Sequence, residues 1–113
     1  MNDAMKDNVF IGRWEYSKPK TVPDAEGNTA LLISRCWGPL QYQEYGLDRD
    51  GLPYEKYEWL ENDLFEDDNG VRAITREELI SHLGSAAAMF ENCGYPDWAE
   101  KYREIIIRIN SGT

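Results

Sequence analysis

The chain has 113 residues and a formal net charge of −9, with 21 acidic against 12 basic side chains. This length predicts a single domain over residues 1–113, because domains commonly span about 50 to 250 residues. So acidic a chain, with no lysine or arginine cluster, is repelled by phosphate backbones and anionic lipid surfaces, which argues against nucleic-acid and membrane binding. Residues 1–8 are polar and lack the apolar core of a signal peptide, so we expect a frayed terminus and a cytoplasmic protein.

Two early segments predict β-strands. Val9–Tyr16 and Thr29–Trp37 are rich in aromatic or aliphatic residues, and the second is broken by a Gly-Pro pair. Residues 17–28, between them, carry two prolines and a glycine, which is typical of a loop.

The clearest β signal is a hairpin formed by Leu40–Leu47 and Leu52–Leu60, which we expect to be closed by the four residues 48–51. With a loop of that length, Tyr45 faces Tyr54 and Glu44 faces Glu55. Two carboxylates directly opposite each other destabilise a hairpin slightly unless a cation arrives. Val71–Ile74 is a candidate for one more short strand.

The last third of the chain predicts two helices. Thr75 and Glu78 match a capping box, a helical apolar stripe follows, and Gly94 stands at the usual C-terminal position. Pro96 begins a second amphipathic helix, and the short link between the two implies an antiparallel pair. The predicted fold class is therefore α+β, a small antiparallel sheet of three to five strands followed by two antiparallel helices packed on it.

The charge of the chain is concentrated in residues 42–68, which we call the acidic segment. It holds ten carboxylates against two cations, a local charge of −8, interleaved with six aromatic side chains. A charge run is usually a solvated face, but solubility requires only interspersed charges, and tyrosine and tryptophan are enriched at binding hot spots. We therefore predict a surface for a basic protein partner, with Tyr45 and Tyr54 as exposed aromatic anchors. The candidate binding residues are Glu44, Tyr45, Asp48, Asp50, Tyr54, Glu55, Glu58, Glu61, Asp63, Glu66, Asp67 and Asp68.

The sequence gives weaker support for a catalytic function. His82 is the only histidine and has no serine or cysteine nucleophile motif beside it, so we expect a partly exposed helix residue. Paired carboxylates could serve glycoside hydrolysis, but so short a chain offers little cleft for a saccharide. We therefore predict that the protein is not an enzyme and has no catalytic residue.

Metal and cofactor binding are also disfavoured. The segments that begin at Asp48 and Asp67 resemble calcium loops faintly, yet neither supplies the full ligand pattern. Cys36 and Cys93, with a single histidine, are too few for a structural zinc site, and we expect both to be free thiols. We predict no metal ion and no cofactor.

Small size, acidity, the α+β order and the lack of a catalytic motif together resemble the immunity proteins of bacterial polymorphic and contact-dependent toxin systems. The resemblance is one of character over the whole chain and includes no diagnostic motif. It implies an inhibitor that binds a toxin domain, often a basic nuclease. The alternative is a phage or plasmid antagonist that imitates nucleic acid, such as an anti-restriction or anti-CRISPR protein. Such mimics usually spread negative charge over most of their surface, whereas residues 1–41 here sum to zero.

Overall fold

The computed structural model describes residues 7–36, 41–59 and 70–111. Across these residues it has one antiparallel sheet, in which the strands lie in chain order, followed by two helices. The α+β prediction is confirmed, with six strands in place of three to five. The elements are β1 (Asn8–Ile11), β2 (Trp14–Ser17), β3 (Thr29–Cys36), β4 (Gln41–Leu47), β5 (Pro53–Trp59), β6 (Gly70–Ala73), α1 (Arg76–Asn92) and α2 (Pro96–Asn110).

The additional strand comes from the first β segment. We predicted a single strand over Val9–Tyr16, and this was wrong, because Gly12 adopts a φ of +62° and the chain reverses there. Val9 then pairs with Tyr16 across the tight β1–β2 turn. Residue 8 was expected to be frayed, but β1 begins at Asn8, while residues 1–6 lie outside the described part.

The register of the β4–β5 hairpin also differs from the prediction. The last pair before the turn is Leu47 with Pro53, so the loop has five residues, 48–52, and not four. Because side chains alternate between the faces of a sheet, one extra loop residue moves every β5 side chain to the other face relative to β4. Glu44 and Glu55 therefore lie on opposite faces, and the predicted pairing of these two carboxylates was wrong.

Two loops, residues 24–28 and 48–52, share one hydrogen-bonding pattern, and we call them the twin loops. In each, an Oδ1 atom of the opening aspartate accepts backbone N–H groups two and four residues later, all at 2.9 Å. The backbone N–H of that aspartate donates to the carbonyl of the closing residue. The fourth residue is a glycine with positive φ, +89° at Gly27 and +79° at Gly51. The repeated Asp-x-x-Gly sequence therefore encodes both turns.

The twin loops lie side by side at one end of the sheet, since β3 begins where β4 ends. A Cβ atom built on Gly27 would lie 2.6 Å from the Cβ atom of Arg49, so the loops touch at these two residues. A second close approach lies just inside the sheet, where a Cβ on Gly46 would lie 2.1 Å from the carbonyl oxygen of Thr29. Only glycine permits strands and loops to come this close.

Local capping signals define the ends of α1, as predicted. Thr75 and Glu78 form the reciprocal capping box, with the Thr75 backbone N–H donating to Glu78 Oε1 at 2.8 Å. At the other end Gly94 has a φ of +91°, and the backbone N–H of Tyr95 donates to the carbonyl of Phe90 at 2.8 Å. The positive φ of Gly94 and this hydrogen bond form the glycine-ended motif that commonly ends a helix.

The two helices are antiparallel, which confirms the predicted pair. The ring of Phe90, near the end of α1, stacks on Tyr102 of α2 with centroids 5.5 Å apart. At the opposite end Arg76 Nη1 donates to the carbonyl of Ile109 at 3.5 Å. Neither described helix combines the length and the apolar character that crossing a membrane requires.

The sheet and the helix pair are two compact units, divided between residues 74 and 75. The predictions of a single domain and of helices packed on the sheet stay predictions.

Candidate functional site

The structure describes seven of the predicted binding residues, all in the β4–β5 hairpin. They divide into two buried clusters and one solvent-facing group. Only the residues of the solvent-facing group can contact a partner directly. The five other candidates, Glu61, Asp63, Glu66, Asp67 and Asp68, lie outside the described residues.

The first buried cluster surrounds Glu44, whose residue exposure is 8%. The hydroxyl of Tyr42 donates to one carboxylate oxygen, and the hydroxyl of Tyr54 donates to the other. Burial, followed by the hydrogen bond to Glu44, raises the pKa of both tyrosines above the ordinary phenol value. The carboxylate is thus an acceptor inside the hairpin.

The second cluster lies on the other face and surrounds Glu55, whose exposure is 3%. Arg72 of β6 donates its Nε–H to Glu55, directly across the strand pair. Tyr45 stands opposite Glu55 on β4, and its hydroxyl lies 3.1 Å from that of Tyr57. Burial, and then the hydrogen bond with Tyr57, raises the pKa of Tyr45.

These clusters correct one part of the sequence prediction. Tyr45 and Tyr54 were expected to be exposed anchors, but both are buried, with hydroxyls committed to neighbouring side chains. The physical reason is that each hairpin face buries a carboxylate, and a buried carboxylate needs hydrogen-bond donors. The tyrosines supply those donors or pack beside them.

The solvent-facing group lies mainly on the twin loops. Asp50 is exposed and Asp48 is partly exposed, while Glu58 on β5 is held 3.6 Å from Lys56 Nζ. Two exposed carboxylates that sequence reasoning missed, Asp24 and Glu26, lie on the first twin loop. Their signal was the recurrence of Asp-x-x-Gly at residues 24 and 48.

We call these four carboxylates the acidic end of the sheet; they are Asp24, Glu26, Asp48 and Asp50. With Arg49 as the one cation on the twin loops, their summed charge is −3. In the described part of the chain, Glu26 and Asp50 have no cation within ion-pair distance, and the carboxylates of Asp24 and Asp48 accept backbone N–H groups. The negative charge at this end is therefore uncompensated.

A groove of about 430 Å³ lies beside the acidic end. It is lined by carboxylates from both twin loops, and by apolar side chains from the second twin loop and from β6. Its lining residues are Glu26, Asn28, Asp48, Leu52, Pro53, Tyr54, Lys56, Val71, Arg72 and Ala73.

A second groove, of about 330 Å³, lies on the β1–β4 part of the sheet. Its lining includes two exposed cations, Lys20 and Arg35, together with the carboxylate of Glu15. Glu15 accepts a hydrogen bond from Asn8 at 2.9 Å. Among the described residues, the sheet thus carries positive charge away from the twin loops.

The remaining candidates from the sequence have ordinary surroundings. His82 is half-buried on α1, as predicted. Cys36 is buried on β3, Cys93 is exposed at the end of α1, and both are free thiols. Within residues 7–36, 41–59 and 70–111, no group of three or more His, Cys, Asp or Glu side chains is arranged to hold a metal ion.

Comparison of the chain with protein-family models, with curated proteins and with solved structures gave no match.

Proposed function

We propose that this chain is a non-enzymatic binding protein that neutralises a basic protein partner, as immunity proteins of bacterial toxin systems do. The observation that carries the proposal is the uncompensated charge of the acidic end. Surface charges that are already paired contribute little to recognition, whereas unpaired charges attract an oppositely charged protein over a distance and speed its docking.

The distribution of ion pairs in the sheet supports this choice. Lys56 is paired with Glu58, and Arg72 with Glu55, so these two cations of β5 and β6 are already engaged, and Arg49 is the one cation on the twin loops themselves. The carboxylates of the twin loops keep their charge for a partner. A toxin domain that binds nucleic acid offers the matching surface, because its substrate path is lined with lysine and arginine.

The charge distribution also favours this proposal over imitation of nucleic acid. A mimic would present negative charge along most of its surface, whereas the groove with Lys20 and Arg35 places positive charge on the same sheet. A partner that docks on the acidic end would contact only part of the molecule.

The test is recovery of the partner from the native host. The full chain is immobilised, host lysate is applied at low salt, and bound proteins are eluted with a salt gradient and assayed for toxicity and nuclease activity. We expect a basic protein whose activity the chain inhibits and whose affinity falls steeply with salt. A specific partner that is acidic, or one whose activity the bound chain leaves intact, would overturn the proposal.

A further inference from the structure

We propose that the groove beside the acidic end, which we call the Leu52 groove, receives a lysine or arginine side chain of the partner. This inference rests on the proposed function and locates its contact surface. It goes beyond charge, because the groove offers apolar walls as well as carboxylates.

The apolar part of the groove is unusually accessible to solvent. Leu52 is 58% exposed and Val71 is 63% exposed, and both line the same groove. Single exposed apolar residues are normal on a protein surface, but two that share a concave site favour binding. Pro53 and Ala73 extend the apolar wall between them.

The charged part of the groove comprises two carboxylates and two cations. Two cations line it, but the head group of Lys56 is held by Glu58 and lies over the ring of Tyr42, at 5.8 Å from the centroid. The Nε atom of Arg72 is bound to Glu55, a residue outside the groove lining. Glu26 and Asp48 are therefore the lining charges left without a cation partner among the described residues.

A long basic side chain fits both parts of such a site. Lysine and arginine bury their aliphatic stems along apolar surface and keep the charged head in a polar environment. Here the stem would lie against Leu52 and Val71, and the head would meet Glu26 and Asp48. The volume of about 430 Å³ lies within the range of about 300 to 1,000 Å³ that is typical of small-ligand pockets.

The test uses a defined probe and the full ¹⁵N-labelled chain. The probe is the peptide acetyl-Gly-Arg-Leu-Arg-Gly-amide, and the control peptide has glutamate in place of arginine. We expect the arginine peptide to shift the backbone amide signals of residues 48–52, 54–56 and 71–73 in a saturable, salt-dependent manner, and the glutamate peptide to leave them unchanged.

Three variants then locate the contact. The substitutions Leu52→Ser and Val71→Ser should each lower the affinity for the arginine peptide by about fivefold, equivalent to roughly 1 kcal/mol. Val22→Ser is the matched control, because Val22 is 72% exposed and does not line the groove. The affinity of the Val22→Ser variant for the arginine peptide should equal that of the parent chain.

The outcomes separate the two proposals. If the arginine peptide binds selectively but the groove variants bind it as tightly as the parent, the Leu52 groove is wrong and the function stands. If both peptides bind equally, there is no selection for positive charge and both proposals fall.

Discussion

The Tyr54→Phe substitution tests whether the buried carboxylate of Glu44 depends on its phenol donors. Tyr54 is buried and donates to a carboxylate that is only 8% exposed, so the hydrogen bond is charge-assisted and shielded from water. Such bonds contribute about 1.5 to 3 kcal/mol, and burial on both sides places this one near 2 to 3 kcal/mol. Tyr42 is half-buried, so we expect Tyr42→Phe to cost about 1 to 2 kcal/mol.

The assay is urea denaturation of the full chain at pH 7, followed by circular dichroism. The double variant Tyr42→Phe/Tyr54→Phe should lose more free energy of unfolding than the sum of the single variants, because removal of the last donor leaves a buried charge without a partner. Tyr95→Phe is the matched control, since Tyr95 is half-buried and its hydroxyl makes no hydrogen bond to the described residues. A free energy for Tyr54→Phe within about 0.5 kcal/mol of the parent would refute the reasoning, because that is the range of ordinary surface substitutions.

Three further predictions follow from the sheet. Because the pKa of Tyr45 is raised in the folded state, its stabilising contribution is complete below pH 10 and declines above it, since the unfolded chain deprotonates first, until the folded pKa is passed. Denaturation should therefore show stability lower at pH 11 than at pH 9 by about 1.4 kcal/mol for this residue; equal stability at both values would contradict this. Gly46→Ala should destabilise the chain by about 2 kcal/mol or more in thermal melts, because the new Cβ meets a β3 carbonyl, whereas Gly84→Ala on α1 meets nothing within 4 Å and should stabilise it by about 1 kcal/mol. A Gly46→Ala melt identical to the parent would show that β3 and β4 can separate at no cost. The double variant Glu26→Gln/Asp50→Asn should slow association with the partner and flatten its salt dependence while the free energy of unfolding stays the same; an unchanged association rate would exclude the acidic end as the steering surface.

The helices were predictable because their signals are local. Thr75 and Glu78 lie within one turn of each other, and Gly94 marks the helix end by its own backbone preference. No distant part of the chain is needed to interpret these residues, and the structure places each of them as expected.

The hairpin register was not predictable to the same degree. Loops of four and five residues differ by one position, and the choice depends on the backbone N–H groups of Asp50 and Leu52, which donate to Asp48 Oδ1. That single position decides which face Glu55 occupies, and hence whether a carboxylate is buried. The burial of Tyr45 and Tyr54 follows from this register, which explains why residue type alone suggested exposed anchors.

Because Gly27 contacts Arg49, the conformation of each twin loop depends on that of the other. A larger residue at position 27, or an insertion in either turn, would push the neighbouring turn aside and change the spacing of all four carboxylates together. Charge at this end can be altered one side chain at a time, whereas a larger side chain at position 27 would displace Arg49 of the other turn. Descendants of this chain that adapt to a differently shaped partner should therefore carry paired substitutions in residues 24–28 and 48–52.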